Sequence, residues 1–428
     1  MSEIKKVKIG VLGMGVVGEE LISIILNNRD KIRRQYSLDL EIKGVFVRNL
    51  DKPRRITGLN LTDNAEELLD DPEISVICEC IGGAGTEKTR EYVFRAVNNG
   101  KSVIMSSKKV LALYGKELMQ KVLENKVGFG FDATVGGGIP IAKILHNCFK
   151  GEGINRVIGI LNATSNFIYT RMDKNGLSFE EALKKAQELG YAENDPSEDI
   201  NGYDALYKAI VLTLFSMKTW TDIRKYAVVP FSQINAADMK YAKELGYHIK
   251  PLVVVEKKKS IVYRIGPCLV KESNIAATTN DNFNVIVLEG TNTGVLGFYG
   301  QGAGSKPTAS AMFDDLINVL NKKDSDELLS HELQLDEIHD VNSLEEYKNN
   351  LYWRITVENR VGMFANIAST MAKNNINIER IIQKDEEGDR IGVVLLTSSI
   401  DTETISNIID ELKENNIIIN AVIPFLDE

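Results

Sequence analysis

A glycine-rich turn between a strand-like run and an apolar helix pattern constrains the fold of this chain more than any other segment. The run VKIGVL, residues 7–12, is followed by GMGVVG, residues 13–18, and by a helical pattern over Val16–Asn28. G-x-G-x-x-G in this strand–turn–helix order is typical of a parallel α/β sheet that binds a dinucleotide at the helix N-terminus. Without this order, the motif would indicate only a glycine-rich turn.

Each glycine of the turn has a predicted task. Gly13 permits the tight turn, Gly15 lets a pyrophosphate approach the main chain, and Gly18 allows close packing of the helix on the strand. We expect the whole segment to contact the cofactor, namely Gly13, Met14, Gly15, Val16, Val17 and Gly18. A turn that binds no ligand is the alternative.

Short runs rich in Val, Ile and Phe continue the alternation of strands and helices. They are separated by helix-length segments such as Glu87–Asn98 and lie at residues 42–47, 74–80, 102–107 and 127–134. This rhythm predicts a doubly wound parallel sheet, a Rossmann-type domain over residues 1–135. At roughly 150 residues per domain, a chain of 428 residues has room for about three domains.

The end of the second predicted strand bears on the choice of cofactor. An acidic residue there would accept hydrogen bonds from the ribose 2′-hydroxyl of NAD, but the sequence reads FVRNLDKPRR. Arg48 stands at the strand end, with Lys52, Arg54 and Arg55 nearby. Because a guanidinium is a planar fork for phosphate oxygens, this favours NADP, with NAD as the alternative. A solvated strand-end charge is the simpler explanation of Arg48.

Composition narrows the partners and the compartment. The net charge is −9 and no basic stripe interleaves with aromatic residues, which argues against nucleic acid and against an anionic membrane surface as partners. No apolar run approaches the roughly 20 residues that span a bilayer, and the N-terminus lacks a signal-peptide pattern. We therefore expect a soluble, cytoplasmic protein that binds small molecules. The cysteines have no metal-site spacing and are expected to be reduced thiols: Cys78, Cys80, Cys148 and Cys268.

An acidic stretch, AQELGYAENDPSEDINGYDALYK at residues 186–208, lies between two helical patterns. The first pattern is stopped by Gly190 and the second begins at Tyr203. Asp204 and Lys208 are four residues apart and share a helix face. A lysine beside carboxylates can protonate a carbonyl oxygen while the carboxylates hold an ammonium group. On spacing alone, a solvated loop followed by an ordinary ion pair is the preferred explanation.

The same stretch, read as A-x-x-x-G-Y-x-x-x-D-P-x-x-D-I-x-G-x-D-x-x-x-K, resembles the signature of the homoserine dehydrogenase family. The resemblance extends from GMGVVG through DATVGGGIPI to GQGAGSKPTASAMFDDL at residues 300–316. It implies NAD(P)H-dependent interconversion of L-aspartate 4-semialdehyde and L-homoserine, a step of threonine, methionine and isoleucine biosynthesis. Another amino-acid or semialdehyde dehydrogenase is an alternative. A nucleotide-sensing regulator with a silent site is another, although the full set of site residues favours an enzyme.

The resemblance assigns roles to individual residues. Lys208 matches the residue that gives and takes the proton at the carbonyl or hydroxyl oxygen. Substrate binding falls to residues of the acidic stretch, namely Gly190, Glu193 and Asp204, with Asp199 beside them as a further catalytic residue. A second lysine, catalytic and cofactor-facing, follows the fourth strand in an A-N-K motif of the family. Here the sequence reads SSKK, so that Lys108 is the match and Lys109 its competitor.

The resemblance also implies a monovalent cation, usually sodium, in the loop DATVGGGIPI. Main-chain carbonyls there act with one acidic side chain, which suits a hard cation of low charge. The matching residues are Asp132, Val135, Gly137 and Ile139, with aspartate where the family usually has glutamate. A hinge between domains is the alternative.

The middle of the chain, residues 136–300, is expected to bind substrate and to form the dimer contact. Gly302 and Gly304 then precede a helical run, and we expect them to face the cofactor where residues 300–320 return to complete the Rossmann domain. A crowded chain crossing is the alternative for these glycines.

Beyond a charged linker at residues 321–350, the pattern strand–helix–strand–strand–helix–strand over residues 351–428 resembles an ACT domain. Gly362 stands where a small ligand approaches the first helix, and Val361 replaces the usual proline. The resemblance implies an amino-acid effector, commonly threonine, and contact between subunits of a homodimer or homotetramer. A dimerising module without a ligand is the alternative.

Overall fold

The computed structural model of the chain describes residues 4–82, 85–149, 151–221, 228–321, 348–387 and 389–426. Contacts within the chain divide it into two compact units. The first comprises Met1–Asn155, Leu206–Arg224 and Ile286–Ile338, and the second comprises Arg156–Ala205, Lys225–Val285 and His339–Glu428. The expected linker lies almost wholly outside the described residues and stays a prediction.

Strands and helices alternate along most of the described chain. The strands are β1 Lys5–Leu12, β2 Leu38–Phe46, β3 Leu61–Thr62, β4 Ile74–Glu79, β5 Ser102–Met105, β6 Phe129–Gly130, β7 Ile154–Ile160, β8 Tyr247–Lys257, β9 Ile261–Lys271, β10 Phe283–Gly290, β11 Gly294–Gln301, β12 Lys348–Glu358, β13 Ile378–Glu387, β14 Arg390–Asp401 and β15 Ile418–Pro424. The helices are α1 Val16–Asn27, α2 Arg29–Tyr36, α3 Glu66–Leu69, α4 Thr86–Asn98, α5 Lys108–Asn125, α6 Ile141–Cys148, α7 Ala163–Asn175, α8 Phe179–Glu188, α9 Ser197–Ile200, α10 Tyr203–Ser216, α11 Ala236–Glu244, α12 Ile275–Thr278, α13 Ser305–Asn321, α14 Met363–Lys373 and α15 Thr402–Glu414.

A six-stranded parallel sheet organises the first unit. Its order is β3-β2-β1-β4-β5-β6, that of a doubly wound nucleotide-binding sheet. The predicted parallel α/β sheet is therefore confirmed. The run predicted as a strand at residues 127–134 is much shorter, because only Phe129–Gly130 pairs before a 3-10 turn at Asp132–Thr134. Helix α13 returns to this unit, and its Ala309 and Met312 share one apolar core with Leu21 of α1.

Two further sheets follow. A five-stranded sheet has the order β11-β10-β7-β8-β9, in which β8 and β9 form a long antiparallel pair from Tyr247 opposite Lys271 to Lys257 opposite Ile261. A four-stranded sheet of order β13-β14-β12-β15 carries α14 and α15, which pack over Trp353 and its apolar neighbours. This last arrangement confirms the predicted β-α-β-β-α-β unit.

The face of the four-stranded sheet that is turned away from α14 and α15 lies against α11. The Arg354 guanidinium donates to both carboxylate oxygens of Asp238, at 2.6 and 3.0 Å, and the Tyr352 hydroxyl donates to the same carboxylate at 3.1 Å. Lys384 of β13 pairs with Glu244 and lies 4.4 Å from the ring centroid of Tyr241. Because the Asp238 side chain is fully buried, this contact is a desolvated one. We refer to these contacts between α11 and the sheet as the α11 interface.

Local sequence signals account for several boundaries. Ser178 caps α8 in a reciprocal capping box with Glu181, so that the predicted amphipathic helix begins just after it. Asn162 caps α7 by accepting the Ser165 N–H. The four cysteines are free. None of the helices in the described ranges is long and apolar enough to cross a membrane.

Candidate active site

The glycine-rich turn between β1 and α1 has the geometry that its sequence predicts. Gly13 has φ +99°, and a Cβ there would lie 2.6 Å from the Cys80 carbonyl oxygen. A Cβ on Gly18 would lie 2.2 Å from the Gly13 carbonyl oxygen, whereas one on Gly15 would meet nothing within 4 Å. The open space beside Gly15, at the first turn of α1, is where a pyrophosphate can approach main-chain N–H groups. Met14 is buried and Val16 is exposed.

A cavity of about 320 Å³ opens beside this turn. It is lined by residues 13–15, by Arg48 and Lys52 at the end of β2, and by Ile81 and Gly82 after β4. Arg54, which also lines it, donates to the carbonyls of Asn49 and Lys52 at 2.5 and 2.7 Å and so orders the loop. Arg55 does not line the cavity, and its guanidinium forms salt bridges with Glu19 and Glu20 of α1. Four basic residues were expected around a 2′-phosphate. Of these, Arg48 and Lys52 line the cavity, and among the described residues neither has a side-chain contact like those of Arg54 and Arg55.

A buried carboxylate lies at the carboxyl end of β4, next to this cavity. Glu79 is fully buried, and its Oε1 accepts the Ile81 N–H at 2.7 Å. Its Oε2 accepts the N–H groups of Ser106 and Ser107 at 3.1 and 2.9 Å. Burial raises the pKa of Glu79 to about 7, against these three N–H groups, which lower it. The carboxylate therefore joins the loop after β4 to the loop after β5.

The two candidate lysines begin α5. Lys108 is its first residue and Ser107 is the N-cap residue; both lysines are half-buried. The Lys109 ammonium lies 5.4 Å from the centroid of the Tyr207 ring, on the residue that precedes Lys208 in α10. This cation–π contact packs Lys109 against α10.

The acidic stretch folds around one asparagine. The Asn162 amide nitrogen donates to Asp199 Oδ1 at 2.7 Å and to Asp204 Oδ2 at 2.8 Å, while its oxygen accepts the Ser165 N–H at the start of α7. Asp204 is only 4% exposed. The segment expected to be mostly loop also contains the short helix α9, which carries Asp199. One side chain thus caps a helix and holds two carboxylates side by side.

Other members of the acidic stretch have different surroundings. Asp195 accepts the Ser197 N–H at 3.2 Å at the start of α9, a local turn contact. Glu193 is exposed, and its main-chain oxygen accepts a hydrogen bond from the Gln187 side chain at 3.2 Å. Gly190 has φ +74° just after α8. Lys208 is 8% exposed and stands one helical turn after Asp204 on α10.

The loop expected to hold a cation has its acidic side chain turned to a helix. Asp132 is buried, its Oδ1 accepts the Lys143 N–H at 3.1 Å, and its main-chain N–H donates to Asp315 at 2.8 Å. Burial, and next the Asp315 carboxylate, raise the pKa of Asp132 to about 7, while the N–H groups of Lys143 and Ala142 oppose the shift. No group of three or more His, Cys, Asp or Glu in the described ranges could hold a metal ion.

The remaining loop residues pack against the segment before α13. Val135 and Ile139 are buried, and a Cβ on Gly137 would lie 2.6 Å from the Gly302 carbonyl carbon. Gly304 has φ +131° and immediately precedes α13. Gly302 and Gly304 therefore lie at a crowded chain crossing just before a helix N-terminus, and their contact with the cofactor stays a prediction.

Two residues with central contacts were not predicted as site residues. These residues are Asn162 and Glu79. The signal for Glu79 was present, because a carboxylate inside the apolar run ISVICEC ends a strand of the nucleotide-binding sheet. For Asn162 the sequence offered no such signal, since its acidic partners are 37 and 42 residues away.

Comparison with known proteins agrees with this set of parts. Residues 13–132 match "Homoserine dehydrogenase, NAD binding domain", residues 140–317 match "Homoserine dehydrogenase", and residues 354–416 match "ACT domain". The homoserine dehydrogenase of Bacillus subtilis is 32% identical over 419 residues, which are 97% of this chain and 96% of that protein. The crystal structure of a homoserine dehydrogenase from Thiobacillus denitrificans is 32% identical, with a TM-score of 0.92 and 100% of both chains covered. A hyperthermophilic archaeal homoserine dehydrogenase in complex with NADPH is 26% identical, with a TM-score of 0.62 over 75% of this chain and 99% of that chain.

A nucleotide turn on a parallel sheet, a carboxylate cluster and a lysine-bearing helix define an NAD(P)-dependent oxidoreductase that acts on a CH–OH group. An ACT domain follows this catalytic part. The chain belongs to the homoserine dehydrogenase family. The resemblance inferred from the acidic signature is therefore confirmed.

Proposed function

We propose that this chain interconverts L-aspartate 4-semialdehyde and L-homoserine with NADP(H), and that an amino acid regulates it. The observation that carries the assignment of the site is the Asn162 amide. It holds Asp199 and Asp204 side by side at the start of the helix that bears Lys208. Two adjacent carboxylates create the anionic environment that a substrate ammonium group requires, and a lysine can serve the reacting oxygen.

The residues of the chain divide the chemistry as follows. Bound NADPH supplies a hydride to the carbonyl carbon of the semialdehyde. The Lys208 ammonium gives a proton to the carbonyl oxygen, and in the reverse direction the neutral amine takes the proton of the hydroxyl group. Asp204, Asp199 and Glu193 hold the substrate ammonium group, next to Gly190. Lys108, at the start of α5, is the second lysine of the site and also faces the cofactor.

Arg48 supports NADP over NAD. It stands at the end of β2, where it lines the cavity beside the glycine-rich turn. Its guanidinium would bind the 2′-phosphate there, and none of the described residues that line the cavity is acidic, as a ribose 2′-hydroxyl would require. We propose that Gly13, Met14, Gly15, Val16, Val17 and Gly18 form the pyrophosphate site, and that Gly302 and Gly304 face the cofactor from the start of α13.

A sodium ion, if bound, would rest on main-chain oxygens of Val135, Gly137 and Ile139 more than on Asp132. The Asp132 carboxylate already accepts N–H groups of α6, and the Ile139 carbonyl accepts the Ile141 N–H at 2.7 Å. This donor set fits the cation poorly.

The direct test of the reaction measures reduction of L-aspartate 4-semialdehyde with NADPH and, separately, with NADH. Lys208→Ala should lower kcat by at least about a hundredfold, as expected when a general acid is removed, while the dissociation constant of NADPH stays near the wild-type value. Lys184→Ala, an exposed lysine on α8, is the matched control and should retain full activity. No turnover by the wild-type enzyme would favour a silent nucleotide-sensing regulator, and normal turnover by Lys208→Ala would remove that residue from the mechanism.

Threonine is the effector that we propose for the ACT domain, with the homodimer or homotetramer as the unit that responds. Initial rates against threonine concentration should fall in the full-length enzyme and stay constant in a version that ends at residue 347. That truncation removes Arg354 and Tyr352 and leaves the Asp238 carboxylate facing water, so Asp238→Asn in the same background shows whether this charge affects the truncated enzyme. Full-length Asp238→Asn is the control. A full-length enzyme that ignores threonine and related amino acids would leave the ACT domain as a dimerising module.

A further inference from the structure

We propose that Glu79 is a positioning residue of this dehydrogenase, which holds the cofactor loop after β4 and the lysine-bearing start of α5 in one geometry. The effect of Glu79 on catalysis rests on the proposed function. Its structural basis is independent of that function, because the three N–H groups that meet at this carboxylate come from two separate loops.

The arrangement satisfies both carboxylate oxygens. Oε1 takes the Ile81 N–H, and Ile81 and Gly82 line the cavity beside the glycine-rich turn. Oε2 takes the N–H groups of Ser106 and Ser107, and Ser107 immediately precedes Lys108. No lysine or arginine of the described chain forms a salt bridge with this carboxylate. The three main-chain N–H groups therefore oppose the cost of burying its charge without cancelling it.

A second contact ties the same strand end to the loop after β5. The main-chain oxygen of Glu79 accepts the Ser106 N–H at 3.2 Å and the Ser106 hydroxyl at 3.0 Å. β4 and β5 are adjacent parallel strands in which Glu79 lies opposite Met105, so both loops leave the sheet at the carboxyl ends of its strands. Cofactors of doubly wound sheets bind at the carboxyl ends of the strands. A group that fixes two neighbouring loops there controls where Ile81 and Lys108 stand.

The geometry requires a side chain with two acceptor oxygens. Glutamine has one acceptor oxygen, and its NH₂ group would point at the N–H of Ile81 or at those of Ser106 and Ser107. Either orientation pushes one loop away. Aspartate is one methylene shorter and cannot meet both loops in their present places. Position 79 therefore requires glutamate, because one acceptor oxygen must face the loop after β4 and another must face the loop after β5.

The test compares Glu79→Gln with Asp39→Asn, which removes another nearly buried carboxylate that two arginines hold far from the cavity lining. We expect Glu79→Gln to raise the dissociation constant of NADPH and to lower kcat, each by about tenfold, with the KM for the semialdehyde unchanged. Asp39→Asn should lower stability but leave all three constants near wild type. Loss of stability without these kinetic changes in Glu79→Gln would show a purely structural role.

Amide hydrogen exchange gives a readout that needs no turnover. In the wild-type enzyme, the N–H groups of Ile81, Ser106 and Ser107 should be strongly protected, and Glu79→Gln should speed their exchange by tenfold or more. Rapid exchange of these amides in the wild type would overturn the proposal even if the variant failed to fold. If the wild type reduced no semialdehyde, the exchange and the NADPH affinity would still decide the role of Glu79.

Discussion

Replacing Arg354 by methionine should destabilise the ACT domain far more than the loss of an ordinary surface charge. The Asp238 side chain is fully buried and that of Arg354 is 14% exposed, with contacts of 2.6 and 3.0 Å. Removing one partner of a buried pair leaves an uncompensated charge, at a cost of about 3–5 kcal/mol. Methionine keeps much of the aliphatic volume of arginine. The loss of unfolding free energy therefore measures the effect of the missing charge rather than of lost packing.

Urea unfolding followed by tryptophan fluorescence measures this cost. The chain has two tryptophans, and Trp220→Phe leaves the buried Trp353 of β12 as the reporter beside the mutated residue. At about 2 kcal/mol per molar urea, a loss of 4 kcal/mol lowers the midpoint by roughly 2 M. Asp238→Asn in the Arg354→Met background should recover most of the loss, because the amide oxygen can still accept the Asn235 N–H. A cost below about 1 kcal/mol, the value of an exposed pair, would refute the reasoning.

Three further outcomes are expected. Arg48→Ala should weaken NADPH binding by about 10- to 100-fold, the worth of a charge-assisted contact, and leave NADH binding nearly unchanged; equal losses in a titration with both cofactors would give Arg48 another role. Asn162→Asp keeps the cap of α7 but places a third carboxylate beside Asp199 and Asp204, so the KM for the semialdehyde should rise by tenfold or more, and an unchanged KM would detach this cluster from the substrate. Because the pKa of Glu79 is raised from 4.5 to about 7, its stabilising contribution is complete below about pH 4.5 and is lost as pH rises through 7, about 3 kcal/mol in all; unfolding of Glu79→Gln across this range should lack that decline, and a parallel decline would assign it to other groups.

Local patterns predicted most of the fold. The glycine-rich turn specified a strand, a helix and the parallel neighbours, because Gly13 and Gly18 lie where a Cβ would clash with the main chain, while the space beside Gly15 stays open. The C-terminal strand and helix order also followed from periodicity. Its first helix starts at Met363, directly after Gly362, which adopts φ +97° as the N-cap residue.

Contacts between distant segments could not be read from the sequence. Asp132 has the local context of a cation ligand, yet the start of α6 takes its carboxylate. Arg55 looks like a phosphate ligand until Glu19 and Glu20 are seen beside it. Asn162 and Glu79 each join segments that no pattern relates. Side-chain pairing over long separations carries no periodic signal, so the hydrogen bonds that support these segments could not be predicted.

The α11 interface also has a consequence for the order in which the newly made chain matures. Asp238 leaves the ribosome 116 residues ahead of Arg354. At a synthesis rate of 5–20 residues per second, its carboxylate has no guanidinium partner for roughly 6 to 23 s. During that time the free-energy cost of desolvating Asp238 opposes its burial. Helix α11 therefore stays exposed to solvent, and its apolar neighbours stay accessible. The second unit therefore completes its folding only after most of the ACT domain has been translated, and a nascent chain halted before residue 354 should bind chaperones more strongly than one halted after β15.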